Sequence, residues 1–154
     1  MKKFTKKDRS TWPYFWAHWF AFQMTAITLG IWKFRYLFHD WYKPWLKMFG
    51  WKYGDIQYFH RHHSKHHLEY LTDILYYNDG GNNRMSSRFN WDELIIDWQC
   101  SMYTKEACPR GAYKEMERYR EWAKDNMTEE KYAYLCKAFD TCMKPRLNEL
   151  NLND

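Results

Sequence analysis

The chain has 154 residues, enough for one domain with its own core and short for two. Aromatics make up 21% of it, mean hydropathy is −0.87 and formal charge is +5, so it reads as soluble in character and heavily stocked with side chains that fill a core while lining a polar pocket. Its four cysteines, Cys100, Cys108, Cys136 and Cys142, form no CxxC pair. Their spacings match no zinc ribbon and they are sparse for a small secreted scaffold, which points to reduced, mostly buried thiols in a cytoplasmic protein, with a Cys100–Cys108 or Cys136–Cys142 disulfide as the alternative.

Residues 1–11 carry Lys2, Lys3, Lys6, Lys7 and Arg9 and read as a basic, flexible arm. Such an arm is compatible with nucleic-acid contact, which is not favoured on charge alone. From residue 12 to 150 the expectation is a single helical domain. Thr11–Trp32 contains no Asp, Glu, Lys or Arg. A membrane helix would tolerate Pro13, His18, Gln23, three threonines and Gly30 poorly in combination, so no membrane role is favoured. The preferred reading is a buried helix, apolar nearly all round, capped by Ser10 or Thr11, stopping near Gly30 and turning His18 inward.

A second helix is expected over Ile31–Asp40, bringing His39 and Asp40 to its C-terminal end, with Pro44 forcing a break or a new start. Residues 45–55 read as a loop with a short helical turn. From Ile56 to Tyr77 the pattern is helical. Five of the seven histidines lie within residues 60–67. On one unbroken helix His60, His63 and His67 share one face and His62 and His66 another, so either some are exposed or a turn near Ser64-Lys65 resets the direction. A solvated polar helix face is the plain alternative to a metal site.

Residues 78–90 are a loop, in which Arg84 and Arg88 suit a phosphate or serve only as exposed arginines. Asn90 is placed to cap a helix from Trp91 to about Thr104. Asp97 sits in its most apolar part, where a carboxylate needs a partner: a metal ion, or a Lys or Arg. Two charge-paired helices, Tyr113–Asp125 and Thr128–Leu150, complete the chain as supports, the last one broken or bent at Pro145. No strand alternation or Gly-rich phosphate loop is present. The fold class is all-α, with about five to seven helices.

His18, then His39-Asp40, then Asp97, on successive helices, resembles the H…HD…D order of the HD-domain superfamily of metal-dependent phosphohydrolases. Lys43 extends the motif to His-Asp-x-x-Lys. Residues 14–140 also resemble a family of small uncharacterised phage and bacterial proteins. Their pattern is HKWF, HDxSK, HHxHRNxHHW and a carboxylate four residues before Asp-Trp. Here the matching positions are His18-Trp19-Phe20, His39-Asp40 with Lys43, His60 through His67, and Glu93 with Asp97-Trp98. His63 stands where that family has Arg; Tyr42 and Ser64 also depart from it.

The resemblance implies a compact HD-type helical bundle and one or two divalent ions (Mn, Fe, Mg, Zn or Ni). His18, His39, Asp40 and Asp97 would hold the first ion. His60, with His66 or His67, would hold a second, with Asp40 available to bridge them. A water acidified at the site would attack the phosphorus of a small phosphate ester, nucleotides included. Asp40 and Lys43 would serve that reaction directly, Lys43 by grounding a phosphate or leaving oxygen. Glu69, Glu93 and His62 are candidates for supporting the histidine ligands. Two alternatives stand beside hydrolysis: an HD-type di-iron oxygenase, and a non-catalytic accessory protein with a structural metal or none.

Overall fold

The computed structural model describes residues 3–78 and 88–153, and among them the protein is all-α, with a lone bridge between Phe4 and Lys105 in place of any strand. Two compact units divide the chain. Unit 1 is Met1–Phe59 with Ile96–Gly111; unit 2 is His60–Ile95 with Ala112–Asp154.

Unit 1 begins with a finding against the flexible-arm expectation. Phe4 is buried, its amide bonds Thr104 O at 2.9 Å, and its carbonyl accepts from Glu106 N at 3.2 Å. The short 3-10 turn Lys7–Ser10 leads into α1, Trp12–Thr28. Thr11 caps α1 by accepting the Tyr14 amide, and Pro13 occupies the first turn, where its missing N–H costs nothing. At the other end Gly30 lies at φ 69, in the left-handed region where a Cβ is unwelcome. Gly30 N bonds Ile27 O at 2.9 Å and Ile31 N bonds Ala26 O at 3.0 Å. This is the Schellman closure that satisfies the last carbonyls of a helix.

The expected helix over Ile31–Asp40 is only a 3-10 turn, Phe34–Phe38. His39 then turns to ψ 123 and Asp40 adopts φ 62, a conformation Asp tolerates better than most residues. The Asp40 carbonyl accepts from Lys43 N at 3.0 Å, so the left-handed residue launches α2, Tyr42–Met48. A new helix thus starts around Pro44, which lies in its first turn, and it runs to Met48, into the stretch 45–55 that was expected to be a loop with a short helical turn. Gly50, at φ 87, repeats the closure seen at Gly30. The start of α3, Tyr53–His63, and the end of α6, Trp91–Thr104, complete the unit. Its core is Ala21, Phe22, Ala26, Tyr36, Ile96 and Cys100, flanked by Leu29 and Ile31.

α1 is not buried all round. His18, Ala21, Phe22, Thr25 and Ala26 are buried, but Trp12, Trp16, Phe20, Met24 and Ile27 are exposed. A helix of nearly uniform apolarity carries no signal for which face is covered.

In unit 2 the turn anticipated at Ser64-Lys65 is present. α3 ends at His63, Ser64 N bonds His60 O at 2.9 Å, and His67 N bonds Ser64 O at 3.0 Å. The chain resumes as α4, Leu68–Tyr70, passes through a π turn, Leu71–Leu75, and continues as α5, Tyr76–Asn78. Asn90 precedes α6 as expected, its carbonyl taking the Leu94 amide and its side chain donating to Glu93. α7, Ala112–Asn126, and α8, Glu129–Ala138, follow, with Thr128 capping α8. A second π turn, Phe139–Met143, precedes α9, Lys144–Glu149. The helix expected over Thr128–Leu150 is thus interrupted ahead of Pro145, which falls in the first turn of α9. Leu71, Leu94, Ile95, Met116, Leu135 and Phe139 are fully buried in this unit. Ion pairs fasten its elements: Arg146 to Asp92 and Lys131 to Asp73, both at 2.8 Å.

Candidate metal centres

In unit 1, α6 sets Asp97, Cys100 and Thr104 at i, i+3 and i+7, one face of the helix. All three side chains meet His18 of α1. His18 Nε2 lies 3.0 Å from Asp97 Oδ1, and Nδ1 lies 3.3 Å from Thr104 Oγ1 and 3.7 Å from Cys100 Sγ. The four residues are buried. Tyr14, one turn before His18, stacks on its ring at 5.5 Å.

His39 is held by Phe22. Their rings stack at 3.8 Å with 14° between planes, and Phe22 has no exposed surface. The left-handed turn at Asp40 directs the adjacent carboxylate into the same region. Asp40 Oδ2 stands 3.7 Å from His39 Nε2 and 2.5 Å from Lys43 Nζ. The donor atoms of His18, His39 and Asp40 lie within 4.8 Å of one another, as do those of His18, Asp97 and Cys100. His18 is the member common to both sets. Two loci distant in sequence thus converge on one imidazole, although no single set of that tightness contains all four expected ligands.

The electrostatics suit metal binding at His18. Burial, then Lys105, pushes its pKa down to about 4, leaving a neutral ring with a lone pair at pH 7. Burial opposes ionisation of Asp97, but Lys105 and the contact with His18 outweigh it and hold the carboxyl well below its ordinary range. Burial also pushes the Cys100 thiol well up, reinforced by Asp97, so Cys100 is a protonated thiol and a poor ligand. For Lys43, burial lowers the pKa against the pull of Asp40.

Lys105 is the residue the sequence reading missed. Its Nζ lies 3.8 Å from Asp97 Oδ1. A lysine was one of the partners expected for Asp97, but nothing in the local pattern said which. Its position just after α6, eight residues beyond Asp97, is the signal: two helical turns return it to the same face. Cys100 and Thr104 were legible in the same way.

In unit 2, three of the clustered histidines meet. His67 Nε2 lies 2.6 Å from His60 Nε2, and the His66 ring centroid is 5.4 Å from that of His60 and 4.5 Å from that of His67. Their donor atoms lie within 4.8 Å of one another. The turn at 64–67 makes this possible by folding positions 66 and 67 back toward His60. His60 Nδ1 contacts Ser64 Oγ at 3.0 Å, and Glu93 Oε1 lies 3.2 Å from His66 Nδ1.

The other expected residues go elsewhere. His63 is exposed. His62 Nε2 is 3.4 Å from Asp73 Oδ2, which places it with Asp73 and Lys131. Glu69 of α4 meets Arg61 of α3 at 3.3 Å, so its observed partner is a cation and not a histidine. Arg88 is exposed, and Arg84 lies outside the described residues.

No protein-family model, curated protein or solved structure matches this chain, so the chemistry of these two clusters is read from their own geometry.

Proposed function

We propose that the protein is a metal-dependent phosphohydrolase of the HD type, acting on a small phosphate ester such as a nucleotide. The observation that carries this reading is the convergence of His18, His39 and Asp40, buried and with donor atoms within 4.8 Å, beside an ionised Asp97. Neutral imidazoles with carboxylates form a mixed nitrogen and oxygen set, which suits Mn, Fe, Zn or Ni. When bound, a divalent ion supplies Lewis acidity toward water and a phosphoryl oxygen.

The chain's own residues do the rest. Phe22 fixes the plane of the His39 ring, and the turn at Asp40 fixes the direction of its carboxylate. Lys43, half-buried on Asp40, is positioned to donate to a phosphate oxygen once the carboxylate has another partner. His60, His66 and His67 form a second, nitrogen-rich set suited to a second ion, with Glu93 orienting His66.

Elemental analysis of protein purified without chelator, paired with a screen of nucleotides and generic phosphate esters, tests this reading. Metal-dependent hydrolysis is expected, with metal lost from unit 1 in His39→Ala and Asp97→Ala. Tight metal retained in both variants, or hydrolysis that survives full metal removal, would overturn it.

One observation favours a second, non-catalytic reading. Lys43 and Lys105 already sit on Asp40 and Asp97, so the cluster balances its charge with protein groups alone. On that reading no transition metal co-purifies and chelators leave the melting temperature unchanged.

A further inference from the structure

We infer that unit 1 docks on an anionic membrane surface, with α1 lying along the lipid interface. The inference is independent of any metal. Trp12, Trp16, Phe20, Met24 and Ile27 recur at spacings of four and three residues, so they form one stripe along α1. All five are exposed, Phe20 at 55% and Ile27 at 56%. The stripe continues beyond the helix through ring contacts. Trp16 lies 6.4 Å from Trp41, Trp41 6.5 Å from Phe38, and Phe38 5.9 Å from Phe34. Trp41, Phe38 and Phe34 are exposed as well. A contiguous apolar face of this kind is rare on a protein that meets only water.

Charge identifies the occupant. Between residues 9 and 54 the chain has a single carboxylate, Asp40, and that one is buried against Lys43. The surface of this segment is therefore free of negative charge, while Lys33, Arg35, Lys47 and Lys52 are exposed on it. Unit 1 carries twelve Lys and Arg against five Asp and Glu; unit 2 carries twelve against fourteen. Tryptophan-rich apolar faces edged with Lys and Arg match the headgroup region of anionic bilayers, where indoles sit at the boundary and basic groups meet lipid phosphates. A second copy of the same face would bring like charges together and is disfavoured.

The helix lies on the membrane and does not cross it. No helix among the described residues is long and apolar enough to span a bilayer. The inner side of α1 is committed to the protein, through His18 and Phe22.

Co-sedimentation of the full chain with phosphatidylcholine vesicles, with and without phosphatidylglycerol, tests the inference. Binding is expected only with phosphatidylglycerol, weakening as salt is raised. Lys33→Glu with Arg35→Glu should weaken it at least about tenfold. Phe20→Ser should weaken it too, with an unchanged melting curve, since Phe20 is exposed. Absence of binding to anionic vesicles, equal binding to neutral ones, or full binding by the charge-reversed protein would overturn it. So would a dimer in solution that Phe20→Ser dissociates, which would assign the face to a second copy.

Discussion

Replacing Lys105 with Met separates a metal centre from a self-sufficient ion-pair cluster. In the protein as described, Asp97 is buried and its counter-charges are Lys105 Nζ at 3.8 Å and whatever positive character His18 can offer. His18 offers little, because burial keeps it neutral. At an effective dielectric of about 20 the Lys105–Asp97 attraction is about 4 kcal/mol. Part of that is offset by the cost of desolvating the ammonium, which is relieved in the variant. A loss of about 2–4 kcal/mol is the result, in line with breaking other buried pairs. For a chain of this size that is roughly 6–12 °C in Tm. The loss should be full in the presence of chelator. With Mn or Zn added it should shrink to a small fraction, because an ion on His18 and Asp97 replaces the missing charge and no longer competes with a nearby ammonium. The same variant should bind the ion more tightly than the parent by calorimetry. Differential scanning fluorimetry with and without metal reads the first effect. An identical loss of Tm under both conditions, with no gain in affinity, would refute the reasoning and leave Lys105 as the permanent partner of Asp97.

Two further outcomes are expected. Phe22→Ala should cost about 3–5 kcal/mol by chemical denaturation. It should also abolish metal at His39 while His60, His66 and His67 keep theirs, and equal loss from both clusters would contradict the role given to the Phe22–His39 stack. In chelator, stability should fall with acid between pH 6.5 and about 4. Burial lowers the His18 pKa to about 4 from an ordinary 6.5, so in that window the unfolded chain takes up a proton the folded one refuses. The contribution is complete above pH 6.5 and about 3 kcal/mol of it is gone near pH 4. A His18→Gln variant with the same pH slope as the parent would count against this assignment.

Much of this architecture can be read from particular residues. Thr11, Pro13 and Gly30 mark α1 because capping, a fixed φ and left-handed freedom are local requirements. The crowded histidines left two ways out, exposure of some or a turn near Ser64-Lys65, since no straight helix can aim positions 60, 66 and 67 at one point; the fold takes both, with the turn present and His63 exposed. Asp97 could be singled out because a carboxylate among Ile95, Ile96 and Trp98 must be compensated. What could not be read depends on tertiary register. Phe34–Phe38 looked like part of a regular helix, yet the chain turns at His39 so that two adjacent side chains face inward. The spacing of eight residues makes Lys105 a candidate partner for Asp97, but that this cation and not another closes on the carboxylate is decided by packing within the unit. The outer face of α1 was expected to be buried because its composition matches that of its inner face, and composition cannot say which of two similar sides the fold leaves open.

The contact between His60 and His67 has a thermodynamic corollary. Between neutral rings, Nε2 atoms 2.6 Å apart require a hydrogen on one and a lone pair on the other. An ion that took both Nε2 lone pairs would oblige the donor ring to carry its hydrogen on Nδ1 instead. For His60 that atom already faces the Ser64 hydroxyl at 3.0 Å, a group that can turn from donor to acceptor. Loading this cluster would then be a tautomer exchange with no net discharge of acid, and its heat should be the same in buffers of different ionisation enthalpy.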